Sequence, residues 1–159
     1  MTTVAEGRVC SEMPAMYQHD GIVAEPAGAR ATATLGDSVA PEPGELTVCV
    51  VSGGNNDVSR YSESVERSLA HEGRKHYFLV DFPQQPGALR RFLDDVLGPD
   101  DDITMFEYVK RSNRETGPAL VGIQLSGRGH LDELLSQMVR SRCAIRRIEP
   151  DDPLFRFVQ

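Results

Sequence analysis

The sequence predicts an α+β fold with two unlike parts within its 159 residues. Three observations lead there. From residue 75 onward, apolar residues switch between strand-like alternation and the three- and four-residue steps of helices, in the order β-α-β-β-α-β. Residues 1–57 carry helical steps and short apolar runs, but no second layer to cover them. Among those runs "LTVCVV" (46–51) is continuous and β-branched, which suits a strand covered on both faces.

In the first part, Val9, Met13, Met16 and Tyr17 predict a helix over Thr3–Asp20. Pro14 inside it removes a hydrogen bond and predicts a kink. Ile22–Ala24 reads as a short buried strand, Glu25-Pro26 as a turn, and the residues after it as a helix with proline in its first turn. That helix carries Arg30, Thr32 and Thr34; an unpaired Arg30, if buried, would be strongly destabilising. Asp37–Glu45 has the Pro, Gly and acidic content of a loop. The strand at 46–51 then runs into Ser52-Gly53-Gly54-Asn55, and a helix follows over Ser59–His71.

In the second part Tyr77–Phe82 is a strand and "PQQPG" a turn. Leu89, Phe92, Leu93, Val96 and Leu97 share one face of a helix over Ala88–Leu97. Ile103–Arg111 alternates as a strand, "SNRETG" turns, and Ala119–Leu125 returns as its partner. Leu131, Leu134, Leu135, Met138 and Val139 mark a second amphipathic helix, and Cys143–Ile148 a fourth strand. Two helices on one face of a four-stranded antiparallel sheet make a complete two-layer core, here a ferredoxin-like βαββαβ sandwich able to fold alone. The expected domains are therefore 1–57, an incomplete α/β segment; 58–74, a connecting helix; and 75–159.

A formal net charge of -7 and a pI near 5.1 argue against a nucleic-acid partner, which calls for clustered Lys and Arg. No apolar run approaches the roughly 20 residues of a membrane helix, and no basic-then-apolar leader opens the chain, so no membrane association and a cytoplasmic setting are expected. Cys10, Cys49 and Cys143 form no C-x-x-C pair. They suggest neither a metal site nor a disulfide framework, and read as small buried hydrophobes.

The stretch "YFLVDFPQQPGALRRFLDDVLGPDDDITMFEYVKR" with the closing "DPLFRFVQ" resembles the ACT-like regulatory domain of the biosynthetic threonine dehydratase (threonine ammonia-lyase) family. The motif is F-P-x-x-P-G-A-L followed by an F-x-Y strand. On the residues alone, Pro86 and Gly87 read as a helix cap. The resemblance instead favours an effector turn at Pro86, Gly87, Ala88 and Leu89, with helix-terminal amides suited to an amino-acid carboxylate. Phe106 and Tyr108 share one strand face by alternation, while Ile103, Met105 and Val109 supply the other. Packing beneath the helices is one reading of these two aromatics. The resemblance implies another, contact with isoleucine or valine, and it implies a homo-oligomer paired through the sheet edges of such domains.

"EGRVCSEMPAMYQHDGIVAEPAGA" and "VCVVSGGNND" resemble, in order and spacing, the last portion of the catalytic domain of the same family, a fold type II pyridoxal-phosphate lyase. "SGGN" itself has neither the Lys-Ser of a P-loop nor G-x-G-x-x-G. The resemblance implies that Ser52 is the serine whose hydroxyl bonds the cofactor's pyridine nitrogen, with Gly53, Gly54 and Glu25 lining the same pocket. A hydroxyl does not hold that nitrogen protonated, which weakens the electron sink and favours β-elimination. On the residues alone the segment is equally an ordinary strand-to-helix turn, with Asn55 or Asp57 capping the next helix.

The family holds pyridoxal phosphate on a Schiff-base lysine. Only Lys75 ("GRKHYF") and Lys110 ("YVKRSN") are present, neither in the family's S-x-K context, and the glycine-rich phosphate loop is absent. The expected protein is the carboxy-terminal part of a threonine ammonia-lyase, carrying isoleucine or valine control and neither binding the cofactor nor turning L-threonine into 2-oxobutanoate and ammonia by itself. A free-standing amino-acid-binding module and a non-functional product of a truncated gene are the other readings.

Overall fold

The helical steps of the first 72 residues and the alternating pattern of the rest fold as two units, Met1–Glu72 and Gly73–Gln159. The computed structural model describes residues 2–55, 57–109, 114–141 and 143–158.

In the first unit α1 (Glu6–Asp20) runs unbroken through Pro14 and ends at Gly21. The expected helix around Arg30 shrinks to a single turn, α2 (Arg30–Ala33). Asp57 starts α3 (Val58–His71) by accepting a hydrogen bond from the Ser59 amide, 3.1 Å away. The buried residues Val9, Met13, Met16, Ala24, Ala29 and Ala33 form one cluster, with Val4 and Tyr61 packed on it. Arg67 of α3 pairs with Glu6 and with Glu63, and Ser68 Oγ donates to Ser11 Oγ at 3.0 Å. Thus the helix expected as a connection over 58–74 packs on α1 within the first unit.

Two expected strands are corrected. Among the described residues neither Ile22–Ala24 nor Leu46–Val51 is a strand, and the first unit has only an isolated Leu35–Val39 bridge, so it is helical rather than α/β. A strand exists only where a neighbour takes up its amides and carbonyls. Among the described residues no strand pairs with 46–51, whose Leu46, Val48 and Val50 are 88%, 78% and 71% exposed. Arg30 is also exposed, so no buried charge arises, and Thr32 and Thr34 satisfy their hydroxyls on the Ala29 and Ala31 carbonyls.

The second unit contains, in chain order, β1 (Lys75–Pro83), α4 (Ala88–Val96), β2 (Asp102–Tyr108), β3 (Thr116–Gln124), α5 (Leu131–Arg140) and β4 (Ala144–Ile148). The antiparallel sheet is ordered β2-β3-β1-β4. Phe78, Val80 and Phe82 alternate onto one face of β1 and bury against Phe92 and Val96 of α4, Leu134 and Met138 of α5, and Ala119, Val121 and Ile123 of β3. The opposite face is covered as well. Tyr77, Ile148 and Val158 form a second cluster, with Phe155 of a closing 3-10 turn (Pro153–Phe157) edge-on to Tyr77 at 5.8 Å. Val139, expected on the apolar face of α5, is instead 86% exposed.

The cysteines are free. Cys10 is buried, whereas Cys49 and Cys143 are half-buried, not the fully buried residues expected.

His76 is buried at the start of β1. One ring nitrogen, Nε2, lies 3.0 Å from the Gly73 carbonyl, and the other, Nδ1, lies 3.3 Å from an Arg147 guanidinium nitrogen. A carbonyl can only accept and a guanidinium only donate, so this geometry selects the neutral Nε2–H tautomer. A second proton would have to sit on Nδ1, facing Arg147. Burial, reinforced by the Arg147 charge, accordingly holds the ring's pKa below its ordinary value. The unfolded chain then binds the proton first. Stability should fall as pH drops below about 6.5 and on through the lower folded value. Chemical denaturation across that range tests this, and His76→Gln should flatten that part of the profile.

Candidate functional site

The strand-to-helix turn after β1 is built by its sequence. Pro83 ends the strand, and Gln84 is tied back by its amide to the Glu115 carbonyl at 2.8 Å and by Nε2 to the Thr116 carbonyl at 3.0 Å. Gly87 takes the N-cap position of α4 at φ 78°, a conformation costly for residues with a Cβ, and no side chain caps the helix. The Ala88 amide donates back to the Gln85 carbonyl at 3.2 Å, and the cap residue has no side chain to take up the amides that follow it at the helix's positive end.

Across from this turn stand the two aromatics of β2. The register pairs Phe106 with Val121 and Tyr108 with Ala119, which puts both on the helix-covered face beside Phe82. Phe82 meets Phe92, Phe106 and Tyr108 edge-on, at 5.0, 6.0 and 5.9 Å between ring centres. Gly117 leaves space for the Tyr108 ring, since a Cβ there would lie 3.1 Å from Tyr108 Cε2. The two aromatics thus pack on the core and also border a cavity.

That cavity has a volume of about 140 Å³ and is lined by Phe82, Pro83, Gln84, Gln85, Gly87, Ala88, Leu89, Phe106 and Tyr108. It falls below the roughly 300 Å³ at which drug-sized pockets begin, and suits one aliphatic side chain. The expected residues Gly87, Ala88, Leu89, Phe106 and Tyr108 are therefore together, while Pro86 shapes the turn without lining the cavity. Phe82, Pro83, Gln84 and Gln85 complete the wall. Their signal lies in the first half of the F-P-x-x-P-G-A-L motif, ahead of the P-G-A-L turn that the resemblance places at the effector.

One expectation about this strand is corrected. A bulge between Ile103 and Met105 shifts the alternation, so Ile103 joins Phe106 and Tyr108 on the helix-side core, while Met105 packs on the opposite cluster. Strict period two fails wherever an extra residue is inserted. Lys110 and the start of the hairpin turn lie outside the described residues.

The second candidate, around Ser52, lies in the first unit. Glu25 donates its amide to the Gly53 carbonyl at 3.2 Å, and a Cβ on Gly28 would come within 2.6 Å of that same oxygen. Gly53, at φ 104°, abuts the Glu25 side chain, and a Cβ on Gly54 would lie 2.9 Å from the Val23 carbonyl. Glu25, Ser52, Gly53 and Gly54 are thus neighbours, with Ser52 to Gly54 exposed. The donor set does not fit a Schiff-base cofactor such as pyridoxal phosphate: the first unit holds no lysine, and Lys75 of the second is buried with Nζ 5.6 Å from the Tyr77 ring centre. Of the strand-to-helix turn reading, the Asp57 cap of α3 is present, whereas the strand ahead of it is not.

Residues 66–158 match the family described as the C-terminal regulatory domain of threonine dehydratase. Over 158 residues the chain is 61% identical to the L-threonine dehydratase biosynthetic IlvA of Mycobacterium tuberculosis, covering 99% of this chain and 37% of that protein. The enzyme of the same name from Corynebacterium glutamicum is 58% identical over 158 residues, covering 99% and 36%. That from Bacillus subtilis is 49% identical over 152 residues, covering 96% and 36%. The chain spans little more than a third of the length of these relatives, and it matches their carboxy-terminal part.

Because the cavity depends on a left-handed residue at its mouth, Gly87→Ala should lower stability by about 1–2 kcal/mol. The shift in urea midpoint at unchanged slope measures it.

Proposed function

The chain belongs to the family of C-terminal regulatory domains of threonine dehydratase, and from that premise we propose that it is the amino-acid-sensing portion of a threonine ammonia-lyase. Its second unit takes the ferredoxin-like, ACT-like form, a reading supported by the β-α-β-β-α-β element order and the sheet order β2-β3-β1-β4. Isoleucine or valine occupies the turn at Pro86, Gly87, Ala88 and Leu89, its aliphatic side chain against Phe106 and Tyr108. The observation that carries this is the meeting of the uncapped α4 terminus with two aromatics around one cavity of side-chain size. Backbone amides and a helix pole suit a carboxylate, and an apolar wall suits a branched side chain.

The catalytic part it reports to would convert L-threonine to 2-oxobutanoate and ammonia, in the cytoplasm. Residues 1–57 read as the end of that part and 58–74 as its connection to the sensor at 75–159. Support comes from the 61% identity, which continues over 158 residues and so beyond the regulatory match at 66–158. Residues 1–57 hold no lysine to carry pyridoxal phosphate, so on this reading the chain regulates and does not catalyse. Pairing of two such chains through the outer strands β2 and β4 would give a homo-oligomer.

Isothermal titration with L-isoleucine should give saturable heat. Phe106→Ala should weaken that binding roughly tenfold, about 1.4 kcal/mol. No heat and no melting shift at about 5 mM amino acid would remove the sensor reading. Independently, purified chain mixed with pyridoxal phosphate should develop no Schiff-base absorbance and release no 2-oxobutanoate from L-threonine. Either signal would overturn the argument from the missing lysine.

A further inference from the structure

A second cavity opens on the other flank of the same turn. It has a volume of about 630 Å³ and shares Pro83, Gln85 and Ala88 with the aromatic one. The two then diverge. The aromatic cavity runs toward β2, which lies on the β3 side of β1 in the sheet, whereas the second runs toward the α5–β4 connection on the β4 side. Its remaining wall is Arg91, Phe92 and Asp95 of α4 with Arg140, Ser141 and Cys143.

Three of these carry charge, and none of the three is consumed by an ion pair among the described residues. Arg91 and Asp95 stand one helical turn apart yet do not close on each other, while the neighbouring Arg90 and Asp94 do, at 3.7 Å. The Arg91 guanidinium lies along the turn, with Nη1 3.4 Å from where a Cβ on Gly87 would sit. Ser141 is occupied locally, donating to the Met138 carbonyl at 2.7 Å and accepting from the Cys143 amide. What remains along the cavity wall is Arg91, Arg140, Asp95 and the neutral Gln85, with the apolar surfaces of Pro83, Ala88 and Phe92. A volume of this size falls in the range of roughly 300–1,000 Å³ that holds small molecules.

We propose that this cavity is a second ligand site, taking the zwitterionic head of a free α-amino acid with its carboxylate on Arg91 and Arg140 and its ammonium on Asp95. Guanidinium groups bind carboxylates through paired, charge-assisted hydrogen bonds, and a lone carboxylate facing the same space accepts from an ammonium. A simple anion would leave Asp95 repelled, and a simple cation would leave both arginines repelled. The zwitterion matches all three. The site rests on the reading of this domain as an amino-acid sensor, and it is separate from the aromatic cavity.

Cys143 reports on it directly. Its half-buried thiol lines the cavity; burial pushes its pKa up and the Arg91 charge beside it pulls the other way. Alkylation of the whole chain by iodoacetamide, followed residue by residue by peptide mass spectrometry, should slow at Cys143 roughly fivefold under saturating L-isoleucine, with Cys49 unaffected, because access of the reagent to the thiolate sets the rate. The Arg91→Gln/Arg140→Gln double variant, altered only at exposed positions, should lose that protection. 3-Methylpentanoate, which lacks the ammonium, and 2-methylbutylamine, which lacks the carboxylate, should each protect less than isoleucine. Equal alkylation with and without isoleucine, full protection retained in the double variant, or equal protection by either half-probe would each overturn the site. Calorimetric binding of isoleucine without protection of Cys143 removes this site and leaves the aromatic one standing. Absence of both removes the sensor reading too.

Discussion

The second unit depends on β1 being buried on both faces while hydrogen-bonded on both edges. One face gives Phe78, Val80 and Phe82 to the helices, the other gives Tyr77 to the segment that closes the chain, and β3 and β4 take up its backbone. Each fully buried aromatic or branched side chain contributes about 1.5–3 kcal/mol. Exposed ion pairs such as Arg90–Asp94 contribute about 0–1 kcal/mol, so the position of β1 is set by packing and not by charge. The chain leaving β1 at Phe82 and Pro83 inherits that rigidity. A turn held this firmly can present amides and side chains at fixed places without a ligand to organise them.

The consequence is a turn with two unlike flanks. Toward β2 it meets rings that already pack on the core, so a small apolar space exists at little extra ordering cost. Toward β4 it meets charged groups on two helices that have not neutralised one another. A regulatory domain needs such an arrangement more than it needs reactive groups. In keeping with that, the cysteine thiols with a resolved shift, Cys10 and Cys143, are pushed up by burial and thereby made poorer nucleophiles.

The first unit illustrates a different constraint. Its helices find partners within the unit, and the Arg67–Glu6 ion pair and the Ser68–Ser11 bond join α3 to α1. Leu46–Val51 finds none among the described residues, and leaves Leu46, Val48 and Val50 in solvent. β-branched residues favour an extended backbone but cannot supply the neighbouring strand. Ser52, at the end of that run, keeps Glu25 and Gly53 as neighbours and has no lysine within its unit.

The sequence by itself determined what depends on local period and chain stiffness. The order β1, α4, β2, β3, α5, β4 followed from alternation and helical steps, and the meeting of Gly87, Ala88 and Leu89 with Phe106 and Tyr108 followed from the family motif. The missing Schiff-base lysine also needed only a reading of residues. Tertiary structure alone decided what depends on a distant partner or an inserted residue. It moved Ile103 onto the helix-side core through the bulge, left 46–51 unpaired, carried α1 through Pro14, and brought Arg91, Asp95 and Arg140 around one cavity from two helices. Periodicity is a property of neighbours along the chain, whereas pairing, coverage and convergence of charge are properties of neighbours in space.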